Sequence, residues 1–303
     1  MPVTSASAFG RVLTDIDLTI HPLTRNVTTV AVTNRLVDRT DADIVAAIAS
    51  DTTVKDIVAG YNALVSPLAA QVIGTISAAL PNSAAADGQM PAGNLIADAQ
   101  LQATQPAPVG GAVAAFMNPG GVRSPGFVGA AYPYNVTYGN AFTVQPFGNS
   151  LVTMTLTAQQ LKDLLEQQFV GCLGQGTQRL LQVSNGFKYT WKASNAACSK
   201  VTELSLTPTD VTVVPPVVTG AQDQIVSAGV VLNPTRTYRV TVNNFLATGG
   251  DGFTVLLGGQ NVLGGAQDID ALVGYLAGGY QAPDRPYDQA AQELAIPRVT
   301  RLP

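Results

Sequence analysis

Histidine is nearly absent from this 303-residue chain: His21 is the only one. Catalytic zinc sites, two-metal phosphatase sites and Ser-His-Asp triads draw on imidazole, so no metal-hydrolase centre is expected within these residues. His21 precedes Pro22 in what reads as a hairpin turn, where an ordinary exposed histidine suffices. Charge is scarce as well. Only 12% of residues are charged and the net charge is −4, which leaves no basic stripe to neutralise phosphates, so nucleic acid is not an expected partner. No apolar run approaches the roughly 20 residues that span a bilayer, so no membrane span is expected. The opening MPVTSASAFG lacks the basic and apolar parts of a signal peptide.

Cysteine is limited to Cys172 and Cys198. They flank a segment that reads strand, turn, strand (RLLQV, SNG, FKYTW), so a fold-back could join them as one disulfide; two unpaired small residues is the alternative. Low charge with abundant Thr, Gln, Asn and Ala fits an exported protein better than a cytosolic one. A hydrophobic content of 46% is ample for a sizeable core.

Residues 11–20, RVLTDIDLTI, set Val12, Ile16, Leu18 and Ile20 on one face against Asp15, Asp17 and Thr19, the period-two pattern of a half-buried strand. A turn leads to a second strand at 27–37, and so small a hairpin must pack on something else. From Thr40, which with Asp43 resembles an N-capping pair, apolar residues recur at helical spacing until Pro67. That predicts one long connector helix of about seven turns. Beyond a loop at 81–91, a helix at 93–103 and a buried strand at 112–117 are expected. A strand at 151–157 runs into a helix opened by a Thr157/Gln160 capping box. Further strands are expected near 180–183, 187–191, 200–206 and 237–242, and the Gly/Gln stretch 258–267 reads as a loop. The fold class predicted is α+β, a mixed β-sheet with flanking helices, preceded by a β-hairpin and the connector helix.

Three unusual loops abut predicted strands. Asn118-Pro119-Gly120-Gly121-Val122-Arg123 presents an arginine, whose planar fork suits phosphate or paired hydroxyls, though a surface arginine after a turn fits equally. Gln145-Pro146-Phe147-Gly148-Asn149 holds a phenylalanine that is either a core anchor or an exposed face for a flat ligand. In Asn243-Asn244-Phe245-Leu246-Ala247-Thr248-Gly249-Gly250-Asp251-Gly252-Phe253, Asp251 could accept two hydroxyl hydrogens or simply satisfy its own turn.

GNLIADAQ, NPGGVR, QPFGN, LTAQQLKDLLEQQ and NNFLATGGDGF occur in the order and approximate spacing of the C-terminal domain of the 5′-nucleotidase family. The chain resembles that substrate-binding domain over about residues 70–303. Residues 1–39 resemble the closing strands of the family's N-terminal metallophosphatase domain, and 40–69 its linker helix. The resemblance implies that Phe147 and Phe245 stack a base and Asp251 holds the ribose hydroxyls. It further implies that Asn118 and Arg123 contact base, ribose or phosphate, that Asn149 contacts the base, and that Gly120, Gly121, Gly249 and Gly250 shape the loops.

The implied partners are a nucleoside or nucleotide and a metallophosphatase domain. The implied cofactors are two divalent metal ions, zinc, manganese or similar, in that other domain, with none in this chain. The implied parent is an extracellular, cell-wall-associated or periplasmic phosphohydrolase acting on nucleoside 5′-monophosphates, with the isolated chain inactive. Relatives acting on nucleotide sugars or cyclic nucleotides, and a stand-alone non-catalytic binding module, are the alternatives. Two departures stand out: AAADGQMPAGN lacks the arginine that many members carry ahead of the GNLIADA helix, with Gln89 near their acidic position, and Pro119 replaces a glycine.

Overall fold

A computed structural model describes residues 4–281, 285–292 and 297–303. Contacts divide the chain into two units, 1–66 and 67–303, and each has its own internal logic. In the first, strand Val12–Ile20 pairs antiparallel with Val27–Leu36, Ile16 facing Val32 and Leu18 facing Val30. His21 Nδ1 accepts the turn amides of Leu23 and Thr24, a local turn-closing role. The period-two pattern is there, yet none of the described residues 4–66 is buried, contrary to the half-buried expectation. A lone hairpin has no second layer to cover its apolar face.

The single connector helix is also corrected: there are two, Ala42–Ser50 and Thr52–Ala69. Asp41, not Thr40, caps the first, its carboxylate accepting from the Asp43 and Ile44 amides. Asp51 takes an extended conformation and accepts from the Thr53 amide, so a side chain competes with the helical ladder and restarts it. The second helix continues past Pro67 to Ala69.

Residues 67–303 build two five-stranded mixed sheets. In the first, central strand Thr237–Asn243 pairs antiparallel with Ser150–Thr157 and parallel with Ala114–Met117. Its alternation is strict: Tyr238, Val240 and Val242 enter the core cluster shared with the second sheet, where the Phe116 and Phe187 rings meet edge-on at 4.9 Å. The opposite face buries Thr241, whose hydroxyl is bonded to Thr104 at 2.7 Å and Thr153 at 3.0 Å. Buried hydroxyls are tolerable only when paired in this way.

Helix Ala158–Glu166 opens with the Thr157/Gln160 capping box and buries Leu161, Leu164 and Leu165. Helix Pro91–Thr104, with Pro91 in its first turn, packs with helix Asp268–Gly279 around a second core containing Leu95, Ile96, Leu272 and Tyr275. The Gly/Gln stretch expected to be a loop is instead strand Gln260–Gln267, an irregular edge strand on Ser150–Thr157 with every residue exposed. Since neither face is buried, no hydrophobic alternation could announce it.

The topology puts three loops at one end of the first sheet. Strands 114–117 and 237–243 are parallel, so the loops that follow them leave at the same end. The antiparallel strand 150–157 begins there, which brings in the loop that precedes it.

Candidate functional site

Asn118, Arg123, Phe147, Asn149, Phe245 and Asp251 line one cavity of about 370 Å³, with Gly120, Gly121 and Arg179. Phe147 is 48% exposed and Phe245 43%, so neither is a core anchor. The other aromatic of the glycine-rich motif, Phe253, is fully buried. An exposed ring next to a tight turn offers its face to a planar partner. On one side that partner is already present: the Arg123 guanidinium carbon lies over the Phe147 ring at 4.7 Å, in cation–π geometry.

A polar chain runs between the loops. Asn243 ends its strand and caps the short helix Asn244–Ala247 by accepting the Leu246 amide at 2.9 Å. Its side-chain nitrogen donates to Asn118 Oδ1 at 3.0 Å, and Asn118 Nδ2 donates to Asp251 Oδ2 at 2.8 Å. Asn118 is buried while Asp251 keeps 14% of its side chain exposed, so the buried amides aim a partly open carboxylate. The backbone of Asp251 is held as well: Gln175 Nε2 donates to its carbonyl at 3.1 Å. Asn149 donates at 3.3 Å to Asp268 Oδ2 and accepts the Asp268 amide at 2.8 Å, which fixes it at the rim. Burial pushes the Asp268 carboxyl above the usual carboxylate range, with the Asn149 hydrogen bond opposing the shift.

The glycines split by role. Gly249 has φ +84°, a conformation that glycine adopts at little cost. A Cβ at Gly250 would run into the Phe245 carbonyl and ring, and one at Gly121 into Met117 and Asn118. Gly120 has room for a methyl, its nearest neighbour being Asp251 Oδ2 at 3.6 Å. Gly249 and Gly250 therefore shape the wall without lining it.

Arg179 was missed by sequence reasoning, which counted one guanidinium short because no arginine precedes the Pro91–Thr104 helix. Its Nη1 lies 3.2 Å from Asp251 Oδ1. Nothing in GQGTQRLL marks it, because it follows neither a strand nor a turn that periodicity could find. Cys172 and Cys198 are joined in a disulfide as expected, but the strands between them, 182–183 and 187–192, belong to different sheets and do not fold back on each other.

Chemically, the cavity offers flat faces, two guanidinium groups, amide donors and one carboxylate acceptor. The two divalent metals implied for a metallophosphatase domain are a different matter. Among the described residues no group of three or more His, Cys, Asp or Glu side chains stands together to hold a metal, so this donor set does not fit them.

A mixed sheet carrying such a cavity at one end, flanked by helices, defines an α+β domain with a small-molecule-sized site. The chain belongs to the family described as 5′-nucleotidase, C-terminal domain, whose model matches residues 72–258. It is 25% identical over 276 residues to Endonuclease YhcR of Bacillus subtilis, covering 90% of this chain and 19% of that protein. It is 30% identical over 198 residues to a cell wall protein of Listeria monocytogenes, covering 64% and 22%. Among solved structures, the 5′-nucleotidase precursor of Thermus thermophilus aligns over 97% of this chain and 50% of its own, at 27% identity and a TM-score of 0.59. The chain thus spans about a fifth of those two relatives and half of the Thermus protein.

Proposed function

We propose that residues 67–303 are the nucleoside-recognition domain of an exported 5′-nucleotidase-like phosphohydrolase, and that this chain binds nucleoside 5′-phosphates without hydrolysing them. The observation that carries the reading is the convergence of three sequence-distant loops on one cavity holding Phe147, Phe245, Asp251, Asn118 and Arg123. Phe147 and Phe245 take the base between them, Asp251 accepts the ribose hydroxyls, and Arg123 slides from the Phe147 ring toward phosphate. Hydrolysis belongs to a metallophosphatase domain of the parent protein, where two metal ions would stabilise the attacking and leaving oxygens. That the Thermus relative is about twice as long supports this division of labour. The named Listeria cell wall relative and the low charge support an extracellular or cell-wall-associated setting. Among the described residues no helix is long and apolar enough to cross a membrane.

Calorimetric titration with adenosine and AMP, with Phe245→Ala as control, tests the reading. Base–aromatic stacking is worth roughly 1–3 kcal/mol, so the variant should bind about 5- to 150-fold more weakly. Equal affinity of the parent chain and the variant for both ligands would sink the stacking assignment. Metal-dependent turnover of AMP by the purified chain would sink the division of labour.

A further inference from the structure

We propose that Arg179 is a specificity-determining residue of this site, paired with Asp251 so that the cavity selects a sugar bearing a vicinal diol. The inference rests on the nucleoside reading, in which Asp251 accepts the ribose hydroxyls, and goes beyond it by naming Arg179 as the second residue that reads them. Asp251 is engaged on both oxygens: Asn118 Nδ2 donates to Oδ2 at 2.8 Å, and Arg179 Nη1 stands 3.2 Å from Oδ1. Each carboxylate oxygen still has acceptor capacity, and a guanidinium carries five N–H donors in a rigid fork, of which this contact uses one. The Arg179 side chain is 34% exposed and lines the cavity, so donors remain on its open side.

A hydroxyl is at once donor and acceptor. A carboxylate alone satisfies only its hydrogen and a guanidinium alone only its oxygen. Held side by side, the two satisfy neighbouring hydroxyls completely: each donates into Asp251 while its oxygen accepts from Arg179. A sugar lacking one hydroxyl leaves part of the pair unmatched, and unmatched polar groups in a desolvated site are costly.

Arg179 is also held in place by more than its charge. Its backbone amide donates to the Gln168 carbonyl at 2.9 Å, and the loop it ends is closed by Gly171 N to Gln175 O, by Gln175 N to Cys172 O, and by the Cys172–Cys198 disulfide. The same loop supplies Gln175, whose side chain holds the Asp251 carbonyl. One stapled loop therefore fixes both the cation and the backbone of its carboxylate partner, so little ordering remains to oppose binding.

The test is calorimetric titration of the whole chain, Arg179→Gln and Arg179→Lys with adenosine, 2′-deoxyadenosine and 2′,3′-dideoxyadenosine. The parent chain should prefer adenosine. Arg179→Gln should shrink the adenosine-to-dideoxyadenosine ratio roughly tenfold while changing dideoxyadenosine affinity little, and Arg179→Lys should restore part of the ratio. An unchanged ratio in both variants, or equal weakening of all three ligands, overturns the inference while leaving the base clamp standing. If the parent chain binds none of the three, the nucleoside reading itself fails and this inference falls with it.

Discussion

Asp98 and Arg298, 200 residues apart, meet in a bidentate ion pair with both guanidinium–carboxylate distances at 2.8 Å. Neither is exposed, and Asp98 Oδ1 also accepts the Asn185 amide at 2.7 Å. The acid of the GNLIADA motif is therefore a structural anchor that ties the Pro91–Thr104 helix to the final strand. Removing one partner strands a buried charge, so Arg298→Met should cost about 3–5 kcal/mol of unfolding free energy. Urea denaturation measures it. The Asp98→Asn/Arg298→Met double variant should lose clearly less than the two single losses added.

The two glycine-rich walls separate in their tolerance of a methyl group. Gly250→Ala meets the Phe245 backbone, which cannot yield without moving the ring, and should cost about 1–3 kcal/mol along with adenosine affinity. Gly120→Ala has space and should stay within about 0.5 kcal/mol of the parent chain. Denaturation midpoints of the two variants compared side by side check the contrast.

The Cys172–Cys198 bond closes a sequence separation of 26 residues. On the chain-entropy model such a loop contributes roughly 3–4 kcal/mol, so Cys172→Ala/Cys198→Ala should lower stability by about that much. Because Gln175 and Arg179 belong to the stapled loop, adenosine affinity should fall further than stability alone explains under conditions where the variant stays folded.

Asp268 gives a pH signature. Its folded carboxyl holds a proton to higher pH than the unfolded one, whose ordinary value is about 3.9. Below that value both states are protonated and burial costs nothing; as pH rises through the folded value the unfolded state ionises first and stability is lost. Asp268→Asn cannot ionise, so its stability relative to the parent chain should improve as pH rises above the ordinary carboxylate value of about 3.9. A difference that stays flat or moves the other way counts against the buried-carboxyl assignment.

Much of this architecture was legible because it rests on period and punctuation. Strict alternation marked 237–242, the Thr157/Gln160 box marked a helix start, and motif order marked the loops that the parallel and antiparallel pairings gather at one sheet end. What escaped had no such signal. Strand Gln260–Gln267 buries no face, the break at Asp51 comes from one carboxylate turning on its own backbone, and Arg179 reaches the cavity from a loop fixed by distant contacts. The hairpin shows the converse: residues such as Ile16 and Leu18 alternate as if half-buried, yet lie exposed.

Asp251 occupies the left-handed region, with φ 56°. Among residues with a side chain, aspartate and asparagine enter that region most readily, whereas alanine enters it with strain. An alanine scan of this loop would therefore confound two effects at its most informative position, since the turn and the acceptor would be lost together. Asp251→Asn keeps the turn and changes the charge and one of the two accepting oxygens, which becomes an amide donor, so it is the cleaner control for any binding measurement on this cavity.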